Sequence, residues 1–259
     1  MLSNSIIASV VLGCVAIAAP TNPESAFTSS AGATSTTSTP AAAPTAPSLT
    51  SQLFLADLAA DRFGLIPHDQ DFKFDFNNAA LRGKAGKGGD IIAANRKTFP
   101  ALVGTGSGMA VGFLGPCGFN TPHVHPRATE LQIVTQGKLH VEMVPENGVF
   151  NIPGDSQSGR RVIKNTVGKL EMTPFYQGSI HTQFNPDCTD AIFVASFTSE
   201  DFGAGQALDE TIQFSPEIVT AAFGEAIDGA DVDAFKKAIP VAIATGVESC
   251  LKKCNIKKR

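Results

Sequence analysis

The sequence predicts a mainly β protein, a barrel or sandwich of short strands closed by a helical C-terminal cap. Two observations carry this. From Gly108 to Phe197, short apolar runs recur between turn signals with no helical periodicity among them. Beyond Phe197 the pattern changes to capped helical segments. The 259 residues are 43% apolar and 17% charged, enough for one good-sized core.

Residues 1–18 read as a signal peptide. Ile6 to Ala18 form an apolar stretch, and Ala16-Ile17-Ala18 fits cleavage before Ala19, although only the terminal amine supplies positive charge. The run is shorter than a bilayer span, and no later segment reaches the ~20 apolar residues that a membrane helix needs. A secreted protein without a membrane span is the expectation. Residues 19–52 are rich in Ser, Thr, Ala and Pro and bury too little apolar surface to offset the entropy of ordering. They predict a disordered linker of a composition that suits O-glycosylation. No Asn-x-Ser/Thr acceptor occurs. The folded domain is then 53–259, with the barrel over about 70–205 and the C-terminal helices over about 215–254.

Ser51 to Arg62 predicts a short helix, with Leu55, Leu58 and Arg62 at helical spacing and Gly64 just beyond. Phe72, Phe74 and Phe76 alternate with charged residues, the period of a half-buried strand. Gly83 to Gly89 is a glycine and lysine loop without the phosphate-loop pattern. The strand runs are Met109–Leu114, Leu131–Thr135, Leu139–Val144, Arg161–Lys164 and Ala191–Phe197. Turns fall at Pro145-Glu146-Asn147-Gly148 and Pro153-Gly154-Asp155. Ser215-Pro216-Glu217 starts a helix that Gly224 stops. Asp231 opens another that Pro240 interrupts, and a last one runs through Val247 to Cys250.

A net charge of −4 provides no field to gather nucleic acid. The basic tail of Lys252, Lys253, Lys257, Lys258 and Arg259 reads as a solvated terminus. Cys14 leaves with the signal, so Cys117, Cys188, Cys250 and Cys254 remain. An even count outside the cell suits two bridges, and three pairings are open.

The chemistry concentrates in three of the five histidines. His123 and His125 stand at i and i+2, one face of a strand. Glu130 is five residues on, the wrong parity for one straight strand. Pro126 breaks that strand and lets Glu130 approach from the next one. His181 supplies a fourth ligand from a distant strand. Three imidazoles and one carboxylate leave open coordination positions and suit Zn, Fe, Mn, Ni or Cu. His140 shares a face with Lys138 and Glu142 and reads as solvated; His68 lies in a loop.

These residues resemble the cupin pattern of Gly, five residues, HxH, three or four residues, Glu, six residues, Gly. His123 through Gly137 match, with Cys117 in place of the opening Gly. The second pattern, Pro-x-Gly-x-x-His-x-x-x-Asn, is met by Gly178, His181 and Asn185, with Tyr176 where Pro is usual. His123-Val124-His125-Pro126-Arg127-Ala128-Thr129-Glu130 is similar to germins and germin-like proteins. The Ser/Thr-rich leader looks more like the spherulin-like secreted proteins of fungi and slime moulds. The resemblance covers roughly Leu53 to Cys254 and implies a cupin jelly-roll barrel, a Mn2+ ion in its mouth, and a homo-oligomer, either a dimer or a germin-type hexamer.

By the same resemblance, Asn120 is a polar contact for a small anionic molecule, and Phe119, Tyr176 and Phe184 line the pocket. Oxalate-oxidising germins use a second asparagine where this chain has Ala110, which disfavours oxalate oxidation. The jelly-roll topology sets the HxH strand antiparallel to the His181 strand. It thereby implies a Cys117–Cys188 bridge, with Cys250–Cys254 as the second. Two functions follow as expectations. One is a Mn-dependent, superoxide dismutase-like or other oxidoreductase activity. The other is a non-catalytic matrix, cell-wall or encystment protein with a stabilising metal.

Overall fold

The computed structural model describes residues 46–78, 88–240 and 242–257. The signal peptide, the linker up to Thr45, the loop from Gly83 to Lys87, and Lys258 and Arg259 of the basic tail lie outside these residues.

One sheet contains β1 (Gly89–Ala94), β2 (Gly108–Leu114), β4 (Glu130–Gln136), β9 (Met172–Phe175) and β11 (Ala191–Phe197). Its order is β1-β2-β11-β4-β9, antiparallel throughout. The second contains β3 (Gly118–Val124), β5 (Lys138–Val144), β8 (Ile163–Gly168), β10 (Ile180–Phe184) and β12 (Gly205–Gln206) in the order β12-β3-β10-β5-β8. A further strand, β13 (Ile243–Thr245), also pairs with β3. β6 (Phe150–Ile152) and β7 (Asp155–Arg160) make a separate hairpin around the predicted turn at Pro153 and Gly154.

Alternation does what period-2 patterning requires. In β5, Leu139, Val141 and Met143 are buried, while Lys138, His140 and Glu142 face out. The inward side chains of both sheets form one core that includes Leu114, Val134, Leu139, Val141, Phe175 and Phe193. Full burial of each such side chain contributes about 1.5–3 kcal/mol. Gly112 is there for Phe193: a Cβ at Gly112 would sit 2.1 Å from that ring.

Outside the barrel the reading needs correction. The single helix expected over Ser51–Arg62 is two, α1 (Leu49–Leu55) and α2 (Ala59–Leu65), and Gly64 lies inside the second. Ser48 Oγ caps α1 by accepting from Ser51 N, and the chain leaves helical conformation at Ala56. Leu53 then packs with Ile66 and Val103 as a small separate core. The phenylalanine strand is absent. Asp69–Phe72 is a 3-10 turn, and Phe74 packs against Phe76 and Phe99 at 4.8 and 5.4 Å. Alternation specifies a strand only where a neighbouring strand accepts its backbone hydrogen bonds; here the rings pair with each other. The first barrel strand accordingly begins at Gly89.

The cap consists of α3 (Ala207–Ile212), α4 (Pro216–Ala222), α5 (Gly229–Ala238) and α6 (Glu248–Lys253). Ser215 precedes Pro216 as predicted, and Gly224 follows with φ +64°. The cap of α5 is Asp228 rather than Asp231. Asp228 accepts from Asp231 N, and Asp231 accepts from Asp228 N, a reciprocal box. Ile212, Val219 and Val232 bury one residue each from α3, α4 and α5.

The disulfides join Cys117 to Cys250 and Cys188 to Cys254, not Cys117 to Cys188 and Cys250 to Cys254. The register argument fails at a bulge. His181 stands opposite His123, but the next pairs are Gln183 with Asn120 and Phe184 with Phe119, one residue out of step. Cys117 also lies before β3, with φ +57° and its N–H on Asp187 O rather than opposite Cys188. Both cysteines of α6 are therefore free to close onto the barrel.

Candidate metal centre

His123 is near the end of β3, and His125 follows just beyond it. Pro126 ends the strand, and the chain then changes sheet. Glu130 opens β4 in the facing sheet, so it reaches the histidines across the barrel rather than from a strand adjacent to β3. His181, on β10, stands directly opposite His123 in the ladder. One ligand atom from each of His123, His125, Glu130 and His181 lies within 4.8 Å of the other three, and all four residues are buried. Strand period and one change of sheet bring together residues 58 positions apart.

The hydrogen bonds show which ring nitrogens are free. His123 Nδ1 donates to Thr121 O at 2.8 Å, His125 Nδ1 to Gly203 O at 2.6 Å, and His181 Nδ1 to Ser179 O at 3.0 Å. A carbonyl only accepts, so each Nδ1 carries a proton and each Nε2 is turned inward. Burial is the main cause that holds the His123 pKa down at about 3, with the nearby His181 adding to it, so this ring is neutral at pH 7. Burial alone would raise the Glu130 carboxyl. Hydrogen bonding and charge from His125 and His181 outweigh it and hold the group at about 2. Glu130 Oε2 is 3.0 Å from His125 Nε2 and 3.2 Å from His181 Nε2. Ring nitrogens and a carboxylate oxygen at that distance need a proton or a metal ion between them, and the inward Nε2 atoms and the carboxylate form one such set of donors. The donor set therefore fits a divalent metal ion.

Packing fixes the rings. His181 stacks on Phe175 with centroids 4.1 Å apart, and His125 meets Phe197 edge-on at 4.7 Å. Phe197 stacks on Phe202 at 3.8 Å. The Gly203 carbonyl that orients His125 follows Asp201, which Arg127 and Arg96 hold at 2.8 and 2.9 Å. Arg127 belongs to the HxHPRATE stretch, but its task is evident only once Asp201 is beside it.

A cavity of about 210 Å³ opens onto His123, His125 and Glu130. Its walls are largely apolar, with Ile91, Ala110, Phe193, Phe197 and Phe202, and its polar atoms come from Asn120, Gln183 and Gln206 besides the cluster. Asn120 Nδ2 is 3.3 Å from His123 Nε2. Ala110 lies in the wall, as the sequence position of the missing asparagine implied. The other predicted pocket residues are elsewhere. Tyr176 is 64% exposed, Phe184 packs with Cys117 and Leu251, and Phe119 faces a separate groove beside Leu208 and Pro240.

Sequence reasoning missed two amides. Gln132 follows Glu130 by two residues and Gln183 follows His181 by two, so both point inward one layer deeper. Both are fully buried, and neither amide has a hydrogen-bond partner among the described residues. The i+2 step from each ligand was the available signal. The same relation holds between Thr121 or Ser179 and the histidines they orient, but that contact uses backbone oxygens.

A two-sheet antiparallel barrel with three inward imidazoles and one carboxylate at its mouth defines a class of metal-binding β-barrel. The profile of the Cupin family matches residues 79–230, and the chain belongs to that family. It is 34% identical to spherulin-1A of Physarum polycephalum over 209 residues, 80% of this chain and 79% of that one. A putative germin-like protein 3-2 of Oryza sativa subsp. japonica is 30% identical over 66% of this chain and 72% of its own. Among solved structures, a recombinant oxalate oxidase in complex with glycolate matches with a TM-score of 0.51 and 26% identity, over 64% of this chain and 82% of that one. The chain is thus a spherulin- and germin-like cupin. No helix among the described residues is long and apolar enough to cross a membrane.

Proposed function

We propose that the protein is an exported metalloprotein that holds one Mn2+ ion on His123, His125, Glu130 and His181 and acts as an oxidoreductase on a small oxygen anion such as superoxide. The observation that carries this is the convergence of Glu130 with three imidazoles, each fixed by an Nδ1–carbonyl bond, with the Nε2 atoms of His125 and His181 at 3.0 and 3.2 Å from its oxygen. A redox-active ion bound there supplies one-electron chemistry and an open Lewis-acid position. Fe, Zn, Ni and Cu suit the same donors.

The chain's own residues select what enters. The cavity is small, and among the described residues no Lys or Arg lines it. A dicarboxylate would find a methyl group at Ala110 in place of an amide opposite Asn120, which supports a smaller, singly charged substrate over oxalate. Asn120 and Gln183 offer N–H donors to such an anion, while the phenylalanine walls exclude bulk water. Apart from the ligands, no carboxylate or imidazole among the described residues lines the cavity to pass protons. That observation supports the second reading, a non-catalytic extracellular or encystment protein in which the ion stabilises the barrel.

Export is supported by the signal-like leader and by two disulfides. A homo-oligomer is supported by Leu208, Phe214, Ile218 and Phe223, large apolar side chains exposed on and between α3 and α4. Light scattering after size exclusion measures that state directly.

Elemental mass spectrometry of the secreted protein, with superoxide consumption assayed beside it, separates the readings. About one Mn per chain with activity absent from His181→Ala supports the oxidoreductase. Bound metal with activity no greater than free Mn2+ leaves the stabilising role. A fully folded protein without metal sinks both.

A further inference from the structure

Four sulfurs gather where α6 lies against the barrel. Cys117 and Cys250 are buried, Cys254 is half-buried and Cys188 is exposed. The inner bridge thus joins two buried residues, and the outer one joins a half-buried residue to an exposed one. Cys250 and Cys254 sit one helical turn apart, and their sulfurs, which belong to different bridges, are 4.0 Å from each other. Cys117 Sγ lies within 4.8 Å of both. Two lysines and one aspartate lie beside the exposed end, a net positive charge. Lys138 and Lys253 both reach Asp187, the neighbour of Cys188, at 3.3 Å. Positive charge beside a sulfur favours thiolate over thiol.

We propose that Cys188–Cys254 is an exchange site for a low-molecular-weight thiol, and that the opening of this outer bridge is relayed to Cys117–Cys250. The incoming thiolate attacks Cys188 Sγ, forms a mixed disulfide there and displaces the Cys254 thiolate. That thiolate attacks Cys250 Sγ, forms Cys250–Cys254 and displaces the Cys117 thiolate, which takes up a proton. One external thiol is consumed and one protein thiol appears; the number of disulfide bonds is unchanged. Cys117 immediately precedes β3, the strand that carries His123. The relay therefore cuts the covalent tie between that strand and α6, and leaves β13 on β3 by backbone pairing and the packing of Ile243.

The test treats the folded, full-length protein with a limiting amount of reduced glutathione, quenches with iodoacetamide in denaturant, and maps the cysteine peptides by mass spectrometry. The relay predicts glutathione on Cys188, a Cys250–Cys254 bridge and an alkylated Cys117. Alkylated Cys254 with Cys117–Cys250 intact overturns it. A second arm uses Cys188→Ser with Cys254→Ser. There Cys117–Cys250 should open at least tenfold more slowly under native conditions than in wild type, and an equal rate overturns the relay. The wild-type map needs no substitution, so it decides the question even if the double variant fails to fold.

Discussion

At one end of β3, a 2.8 Å hydrogen bond from Nδ1 to a backbone carbonyl orients His123, and β10 sets His181 opposite it. At the other end, Cys117 is joined covalently to Cys250 on α6, 133 residues away in sequence. The contrast follows from what each end has to leave free. A ligand cluster needs oriented lone pairs, which weak bonds to backbone oxygen supply without occupying the coordinating atom. The base of the strand needs only to stay where it is, and a bridge limits the unfolded chain without any demand on the cavity. Loss at the first end should therefore remove ligand binding from a folded barrel, and loss at the second should weaken the barrel around an intact cluster.

The largest effect expected from breaking this division is at the ligands. His181→Ala should lower metal content from about one per chain to less than a tenth, with the circular dichroism of the barrel retained; elemental mass spectrometry measures it. Removal of the inner bridge by Cys117→Ala with Cys250→Ala should cost about 2–4 kcal/mol in denaturant unfolding. Metal stoichiometry in the folded fraction should not change.

Acid should act chiefly at the metal end. At the other, burial raises the half-buried Asp187 carboxyl slightly, but Lys253 and Lys138 hold it below its usual value, a smaller contribution of the same sign. His123 titrates near 3 in the fold against 6.5 in an unfolded chain, so between those values the folded protein binds fewer protons. Glu130, near 2 against 4.5, acts in the same direction. Stability of the metal-free protein should be full above about pH 6.5, decline as pH falls below it, and fall more steeply below about 4.5. Thermal melts across that range test this, and a flat profile from pH 7 to 4 would contradict the assignment of neutral, buried His123.

Two smaller effects sharpen the comparison. Asp201→Ala frees Arg127 and Arg96 and loosens the loop whose Gly203 carbonyl holds His125. Metal affinity should fall about tenfold with little change in melting temperature. Gln132→Leu should raise stability by about 1 kcal/mol, because it removes a buried amide that has no partner among the described residues. A fall on urea denaturation instead would mean that the amide is satisfied by a bound molecule.

Much of the centre was legible because two local rules act on few residues. The i, i+2 step of a strand put His123 and His125 on one side, and the spacing to Glu130 and His181 resembled a known pattern. The same rule applied to Phe72, Phe74 and Phe76 failed. Alternation tells which side chains share a face but not whether a partner strand exists. It also failed for Cys117 and Cys188, where one bulge in β10–β3 shifted every pair beyond it.

By itself, then, the sequence determined a mainly β domain, its helical cap and the identity of the four inward donors, since periodicity, capping and ligand chemistry are properties of neighbouring residues. The tertiary structure alone decided that Glu130 arrives from the opposite sheet, that Thr121, Ser179 and Gly203 set the imidazole tautomers, and that α6 takes both bridges. Those outcomes depend on backbone oxygens, which every residue carries alike, and on sheet order and register, which are fixed only when distant segments pack together.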